Sequence, residues 1–442
     1  MGEHGVARLR VTPTGPLRGE LTLPGDKSIT HRAIILASLA DGVSEISGAL
    51  RSEDCRSTAK AFVAMGAQVE ERGRDRLRVT GCGVYGLREP DQVLDAGNSG
   101  TTMRLLAGVL AGQPYFSVLT GDRYLRKRPM GRVATPLRSM GATILGRDGG
   151  NLPPLAIRGA RLKGISYATP IASAQVKSAI LLAGLFATGR TTVTEPSLSR
   201  DHTERLLEEI GLPISRDGLS VSVERAKAIP AMHLTVPGDF SAAAFFIVAA
   251  LILPGSELTI RGVGVNPTRT GLLDALAGMG ARIEVSKPRI LSGEPVADLS
   301  VRSQELRGTE VGGTLIPRMV DEIPVFAVAA AVAQGSTVIS DAGELRVKEV
   351  DRLAALAGEL RRLGADLDER PDGLVVRGGA ALSGAQCDSW GDHRMAMALA
   401  VAGLAAKGST TISDPSCVSS SFPGFWEQLD AMSPGAVTSS VG

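Results

Sequence analysis

Ala64-Met65-Gly66-Ala67, Ser139-Met140-Gly141-Ala142, Glu209-Ile210-Gly211-Leu212, Gly278-Met279-Gly280-Ala281 and Arg362-Leu363-Gly364-Ala365 are versions of one helix ending, and a degenerate sixth runs from Ala431-Met432 to Gly435-Ala436. They recur roughly every 70 to 85 residues, and self-similarity at a near-constant period outranks any single motif in deciding a fold. Ahead of each copy a small-residue-rich helical run leads through a glycine into a strand; in four copies the join reads Gly-x-Ser/Thr-x-Ile/Val. The first unit shows the plan. Strands at 9–11 and 19–23 are followed by a break at Pro24-Gly25, then a helix over 28–39 with Ile29, Ala33, Ile34, Ile35 and Leu36 on a broad apolar face. A strand at 43–46, a second helix over about 57–65 closed by Gly66, and strands at 68–71 and 76–80 complete a βαβαββ unit.

The same order recurs with central helices expected at 99–111, 173–187, 241–253, 323–333 and 394–406, each followed by a strand: 117–120, 191–194, 257–260, 337–339 and 410–412. Closing strands are recognisable in four of these units, at 155–158, 219–223, 299–301 and 374–377. Pro24-Gly25-Asp26 is echoed at Pro237-Gly238-Asp239, with three units between the two marks and three outside them. The expected organisation is an α/β chain of two lobes, 25–237 and 1–24 with 238–442, the N-terminal strands completing the second. The crossings near 24–25 and 237–238 would form a hinge for closure on a substrate.

At 442 residues the chain exceeds one ordinary core, and 43% hydrophobic residues suffice for two. Aromatics are only 3% and the net charge is +2, which together disfavour stacking on nucleic acid or a polyanion partner. Cys55, Cys82, Cys387 and Cys417 lack metal-ligand or disulfide spacing, so reduced thiols are expected. Met1–Arg10 has no apolar signal core, and the longest apolar run, 242–253, is 12 residues, too short to span a bilayer. These features predict a cytoplasmic protein without membrane or nucleic-acid partners.

The expected starts of the six central helices are polar: Asp26-Lys27-Ser28, Gly97-Asn98-Ser99-Gly100-Thr101, Ser173-Ala174-Gln175, Gly238-Asp239-Phe240-Ser241, Asp321-Glu322 and Gly391-Asp392-His393-Arg394. Ordinary N-capping explains Ser and Asp there. It does not explain the basic residues alongside: Lys27, Arg32, Arg104, the Arg126-Lys127-Arg128 run, Arg200, Arg346, Lys348, Arg352 and Arg394. Unpaired helix N–H groups with Arg and Lys suit a substrate carrying several anionic groups. Asp321 and Glu349 are the candidate acid–base pair, although salt-bridged surface carboxylates would read the same way. Gly81-Cys82-Gly83-Val84-Tyr85-Gly86 matches a dinucleotide fingerprint, but no helix follows and Pro90 intervenes. The five histidines lack metal-ligand spacing.

Seven segments in order carry a resemblance: Gly25-Asp26-Lys27-Ser28-Ile29-Thr30-His31-Arg32, Gly97-Asn98-Ser99-Gly100-Thr101-Thr102-Met103-Arg104, Lys127-Arg128-Pro129-Met130, Ser173-Ala174-Gln175-Val176-Lys177-Ser178, Arg200-Asp201-His202-Thr203, Arg346-Val347-Lys348-Glu349-Val350-Asp351-Arg352 and Asp392-His393-Arg394. From Pro24 to Pro423 the chain resembles the 5-enolpyruvylshikimate-3-phosphate synthases. The resemblance implies a two-domain inside-out α/β barrel with three βαβαββ units per domain. It also implies transfer of the enolpyruvyl group of phosphoenolpyruvate to the 5-hydroxyl of shikimate 3-phosphate, on the route to chorismate, by a monomer needing no metal or organic cofactor. Carried over by position, Lys27, Ser28, Arg32, Ser173, Ala174, Gln175, Arg200, Asp321 and Lys348 would hold shikimate 3-phosphate. Lys27, Gly100, Arg128, Gln175, Arg352 and Arg394 would hold phosphoenolpyruvate. Asp321 would be the base on the 5-hydroxyl, with Glu349 and Lys27 the candidates for protonating the methylene carbon.

The chain departs from many members in two places. Ser419-Ser420-Ser421 before Phe422-Pro423 has no Lys, and Glu344 stands where an Asn is common. Gly100 leaves room for glyphosate, predicting inhibition in competition with phosphoenolpyruvate. The rival readings are the sister enolpyruvyl transferase acting on UDP-N-acetylglucosamine and a non-catalytic anion-binding paralogue. The sister enzymes carry an Asn after the first Lys and a Cys on a mobile loop; here Ser28 follows Lys27 and 122–128 has no Cys.

Overall fold

The structure is a computed structural model describing residues 7–440. Most of the Met1–Arg10 segment, expected to carry no signal sequence, lies outside the described residues. Two compact units account for the chain. One comprises Pro24–Pro237 and the hairpin tip Ile290–Pro295; the other comprises the chain through Leu23, Gly238–Arg289 and Val296 onward. By sequence the tip falls with 238–442, but its contacts place it with Pro24–Pro237. Each unit has its own apolar core.

Among the described residues six four-stranded sheets form, each with a parallel pair at one edge followed by an antiparallel neighbour. In the sheet of Leu94–Asp95, Phe116–Thr120, Leu152–Arg158 and Thr143–Gly146, helix Gly100–Ala111 is the crossover between the parallel strands. Parallel neighbours require such a crossover, whereas the closing strands can be joined by tight turns. The sheets are separate, so the barrel-like character lies in helices wrapped by small sheets.

Helices Phe240–Ile252 and Ile323–Val332 carry no charged residue and are apolar nearly all round, as a helix enclosed on every side must be. Helix Phe240–Ile252 buries 12 of its 13 residues, and helix His393–Leu404 buries all 12. In one unit helix Ile323–Val332 packs on both of these; in the other, Gly100–Ala111 packs on Ala174–Gly184. Each fully buried Leu, Ile or Phe contributes about 1.5–3 kcal/mol by leaving water. Ala and Gly at the contacts let the axes approach closely: a Cβ on Gly108 would lie 2.2 Å from the Ala179 carbonyl oxygen.

The first unit of the repeat is assembled differently from its sequence. Strands Arg8–Val11 and Arg18–Thr22 do not join the sheet of Val43–Ser47, Arg76–Thr80 and Gln68–Arg72. Its parallel edge is instead His233–Thr235, a strand outside the sequence expectations. Arg18–Thr22 pairs in parallel with Glu257–Gly264, and Arg8–Val11 inserts between Thr410–Ser413 and Val437–Ser440. Strands 18–22 and 233–235 are thus exchanged: each precedes a central helix of one unit but pairs in the other. The sixth repeat lacks a closing strand nearby in sequence because the N-terminal strand supplies it.

The six glycines of the helix-ending mark have positive φ, from +73° at Gly211 to +117° at Gly141. At Gly280 (φ +89°) a Cβ would meet nothing within 4 Å, so Gly280→Ala tests conformation alone. The expected result is a loss of about 1–2 kcal/mol in urea unfolding. An unchanged midpoint would show that the left-handed cap is not what the repeat preserves there.

Candidate active site

In the unit built on Pro24–Pro237, the starts of three central helices are tied to one another by side chains. Asp26 caps helix Lys27–Ser38 by accepting from the Ile29 amide at 2.9 Å, and Lys27 Nζ lies 2.9 Å from Asp54 Oδ2. Arg32 is buried, donating to Thr203 Oγ1 (2.6 Å), Ser178 Oγ (2.7 Å) and the Ser28 carbonyl (2.8 Å). Burial lowers its pKa to about 10, with the carboxylates of Glu204 and Asp26 opposing the fall. Ser173 caps helix Ala174–Gly184, placing Ala174 in its first turn. Gln175 bridges to the next helix start, accepting from Arg104 Nη1 at 2.6 Å and donating to Thr101 Oγ1 at 2.9 Å.

Gly100 opens helix Gly100–Ala111 under two guanidinium groups. A Cβ there would fall 2.8 Å from Arg104 Nη1 and 2.9 Å from Arg128 Nη1. Of the Arg126-Lys127-Arg128 run, only Arg128 is buried; its two neighbours face solvent. Arg200 is half-buried, near enough to Arg32 for their charges to repel. Lys27, Ser28, Arg32, Gly100, Arg128, Ser173, Ala174, Gln175 and Arg200 therefore all stand at or beside the knit helix starts.

Beneath them lies a buried ion cluster. Lys177 Nζ is 2.7 Å from both Glu195 Oε2 and Glu204 Oε1, with all three side chains at most 2% exposed. Burial alone would lower the Lys177 pKa, but Glu204 and Glu195 outweigh it and hold the ammonium above its ordinary value. Glu195 also accepts from the Ser173 amide (3.2 Å) and Ser199 Oγ (2.5 Å), so it orients the Ser173 cap and the segment leading to Arg200.

The other unit gathers the acid–base candidates. Asp321 precedes helix Ile323–Val332; its carboxylate lies 3.4 Å from Arg352 Nη1, 3.6 Å from Arg394 Nη2 and 3.9 Å from Arg269 Nη1. Glu349 Oε2 is 2.7 Å from Arg352 Nη2. Arg352 is 1% exposed and donates through Nε to Asp392 Oδ2 at 2.7 Å. Burial alone would lower its pKa, but Asp392, Glu349 and Asp321 hold it above the usual arginine value. Asp392 in turn caps helix His393–Leu404, and Arg394 Nη1 donates to the Asp321 carbonyl at 3.2 Å. Lys348 is half-buried beside this group; burial lowers its pKa, Asp321 opposes, and Arg352 lowers it further. Asp321, Lys348, Glu349, Arg352 and Arg394 are brought together as one cluster.

Two expectations change. Arg346 belongs to the fold: it holds Asp351 (2.8 Å), Glu369 (2.9 Å) and the Pro371 carbonyl (2.6 Å). Conversely, Arg269 and Glu322, which the motifs do not single out, sit at the heart of the second cluster. Their signal was in the repeat register: Arg269 stands two residues before helix Gly271–Gly278, as Arg200 does before His202–Glu209. Ser420, in the segment without the Lys, makes a 3.1 Å hydrogen bond with His393 Nδ1. Among the described residues, no group of three or more His, Cys, Asp and Glu could hold a metal ion, and no helix is long and apolar enough to cross a membrane.

Residues 11–429 match the family described as EPSP synthase (3-phosphoshikimate 1-carboxyvinyltransferase). The chain belongs to the EPSP synthase family. A 3-phosphoshikimate 1-carboxyvinyltransferase of Desulforudis audaxviator is 59% identical over 424 residues, covering 96% of this chain and 99% of the relative. The EPSP synthase of Acinetobacter baumannii superposes with a TM-score of 0.87 at 41% identity, over 98% of this chain and 100% of that one. The enolpyruvyl transferase NikO of Streptomyces tendae shares the fold, with a TM-score of 0.82 at 20% identity, over 99% of this chain and 100% of that one. Family membership and fold thus agree with the resemblance drawn from the seven motifs.

Proposed function

We propose that this chain transfers the enolpyruvyl group of phosphoenolpyruvate to the 5-hydroxyl of shikimate 3-phosphate and releases phosphate. The observation that carries the reading is the Asp321 carboxylate, 3.4–3.9 Å from three guanidinium groups and clustered with Lys348 and Glu349. Lys27, Ser28, Arg32, Ser173, Ala174, Gln175 and Arg200, with Asp321 and Lys348, hold shikimate 3-phosphate. Lys27, Gly100, Arg128, Gln175, Arg352 and Arg394 hold phosphoenolpyruvate.

Asp321 takes the 5-hydroxyl proton as the oxygen adds to C2 of phosphoenolpyruvate, while Glu349 or Lys27 protonates the methylene carbon. The tetrahedral adduct then loses a methyl proton and phosphate, leaving the enol ether. Guanidinium groups fixed in place before reaction stabilise the charge of that adduct without reorganising. When the substrate anions draw Arg352 and Arg394 toward themselves, they loosen the hold on Asp321 and leave it a better proton acceptor.

Phosphate release measured with phosphoenolpyruvate and either shikimate 3-phosphate or UDP-N-acetylglucosamine tests the assignment. Release with the first acceptor alone is expected; release with the sugar nucleotide alone would transfer the chain to the sister activity, and release with neither would favour a binding protein. The enzyme works as a monomer, and its four free cysteines fit the reducing cytoplasm.

Glyphosate competes with phosphoenolpyruvate at Gly100. Gly100→Ala would push a methyl against Arg104 and Arg128, so inhibition should weaken by at least about tenfold, with a smaller rise in KM for phosphoenolpyruvate. Equal inhibition of both forms would reject the placement.

A further inference from the structure

Behind Asp321 stand two charged side chains to which the reaction scheme above gives no part. Arg269 enters from the loop before helix Gly271–Gly278, and only 3% of its side chain is exposed. Its Nη2 donates to Ser241 Oγ at 2.7 Å and lies 3.3 Å from Asp239 Oδ1, both at the start of helix Phe240–Ile252. Its Nη1 faces Asp321 Oδ2 at 3.9 Å and Glu322 Oε1 at 3.6 Å. The Glu322 side chain is wholly buried; it accepts from Ser241 Oγ and lies 3.9 Å from Arg394 Nη1. Its other oxygen, Oε2, is buried without a hydrogen bond among the described residues.

Asp321 and Glu322 therefore share the same two guanidinium groups, Arg269 and Arg394. Burying a carboxylate is costly unless positive charge stays beside it. Glu322 thus holds both cations in place and competes for them with Asp321. We propose that Arg269 and Glu322 are positioning residues for the enolpyruvyl transfer: they aim Arg394 and set how tightly the Asp321 carboxylate is held in its ionised form. This rests on the roles given above to Asp321 and Arg394.

The remaining charges around Asp321 come from every neighbouring element. Arg352 reaches it from helix Arg352–Arg362, Arg394 from helix His393–Leu404, and Lys348 from the turn after 343–347. Glu349 and Asp392 act through Arg352, and Asp239 acts through Arg269. All of these are unchanged in Glu322→Gln and Arg269→Met, so the two variants alter one charge each and with opposite sign.

The test is the pH dependence of kcat/KM for shikimate 3-phosphate in wild type, Glu322→Gln, Arg269→Met and Arg269→Lys. Glu322→Gln leaves both guanidinium groups to Asp321 and moves the acid limb to lower pH. Arg269→Met removes a cation and moves it to higher pH, each by about half a unit or more. Arg269→Lys, which keeps the charge, returns the limb toward wild type. Opposed shifts support the inference, because a purely structural role lowers Tm and leaves both limbs in place. Unshifted limbs, or shifts of the same sign, overturn it. Should Arg269→Met not fold, Glu322→Gln decides alone, since it keeps the size and the acceptor for Ser241. An inactive wild type removes the parent reading and this inference with it; an active wild type with unshifted variants removes this inference only.

Discussion

Asp321→Asn lowers kcat by roughly 10²–10⁴-fold, the range associated with loss of a positioned general base. The substitution preserves shape and one oxygen facing Arg352 Nη1, which lies 3.4 Å from the native carboxylate. On the proposed role, what it removes is the capacity to take the 5-hydroxyl proton. Binding follows a different logic: Asp321 competes with the substrate anions for Arg352 and Arg394, so its neutralisation leaves those cations freer. KM for phosphoenolpyruvate should therefore stay level or fall while turnover collapses, the pattern of an interaction that matters in the transition state rather than the ground state. Glu349→Gln gives a similar split, since Glu349 shares Arg352 at 2.7 Å. Steady-state kinetics with direct measurement of shikimate 3-phosphate affinity decides each case. Near-normal turnover in either variant removes that residue from the chemistry.

Lys177→Met destabilises the unit around Pro24–Pro237 by about 3–5 kcal/mol, the usual result of deleting one partner from a buried ionic group. Glu195 and Glu204 would keep their burial and lose an ammonium 2.7 Å from each. Arg32 offsets part of the charge on Glu204, so Glu195 bears most of the loss. A total stability of order 5–15 kcal/mol makes this a large fraction. Adding Glu195→Gln should recover part of it by removing the uncompensated carboxylate. Urea unfolding of the single and double variants checks both statements; a single-variant loss below about 1 kcal/mol would mean that the carboxylates find their counter-charge elsewhere.

The repeat was readable because its marks are local. A helix ended by a left-handed residue demands glycine at that point, and a wholly enclosed helix demands apolar residues on every face, so both leave traces in neighbouring positions. The same holds for the motif-borne candidate residues: Lys27, Ser28 and Arg32 lie on one helix, and Lys348, Glu349 and Arg352 follow one another closely. Arg346, from the same motif, shows the limit. Nothing in its sequence context distinguishes a cation holding the Pro371 carbonyl and Glu369 from one awaiting a substrate. Arg269 and Glu322 are illegible for the complementary reason: their importance comes from guanidinium and carboxylate partners up to 72 residues away, as between Glu322 and Arg394.

By itself the sequence determined the six-unit plan, the glycine and proline punctuation, the family and most of the polar helix starts. These are properties of short segments, set by backbone conformation and by how much apolar surface each must hide. Only the tertiary structure decided where the orphan strands go: Arg18–Thr22 beside Glu257–Gly264, His233–Thr235 beside Val43–Ser47, and Arg8–Val11 between Thr410–Ser413 and Val437–Ser440. It also decided which carboxylate faces which guanidinium. Strand pairing and charge sharing are contacts between residues distant in the chain, and their energies depend on burial and separation, which no local pattern carries.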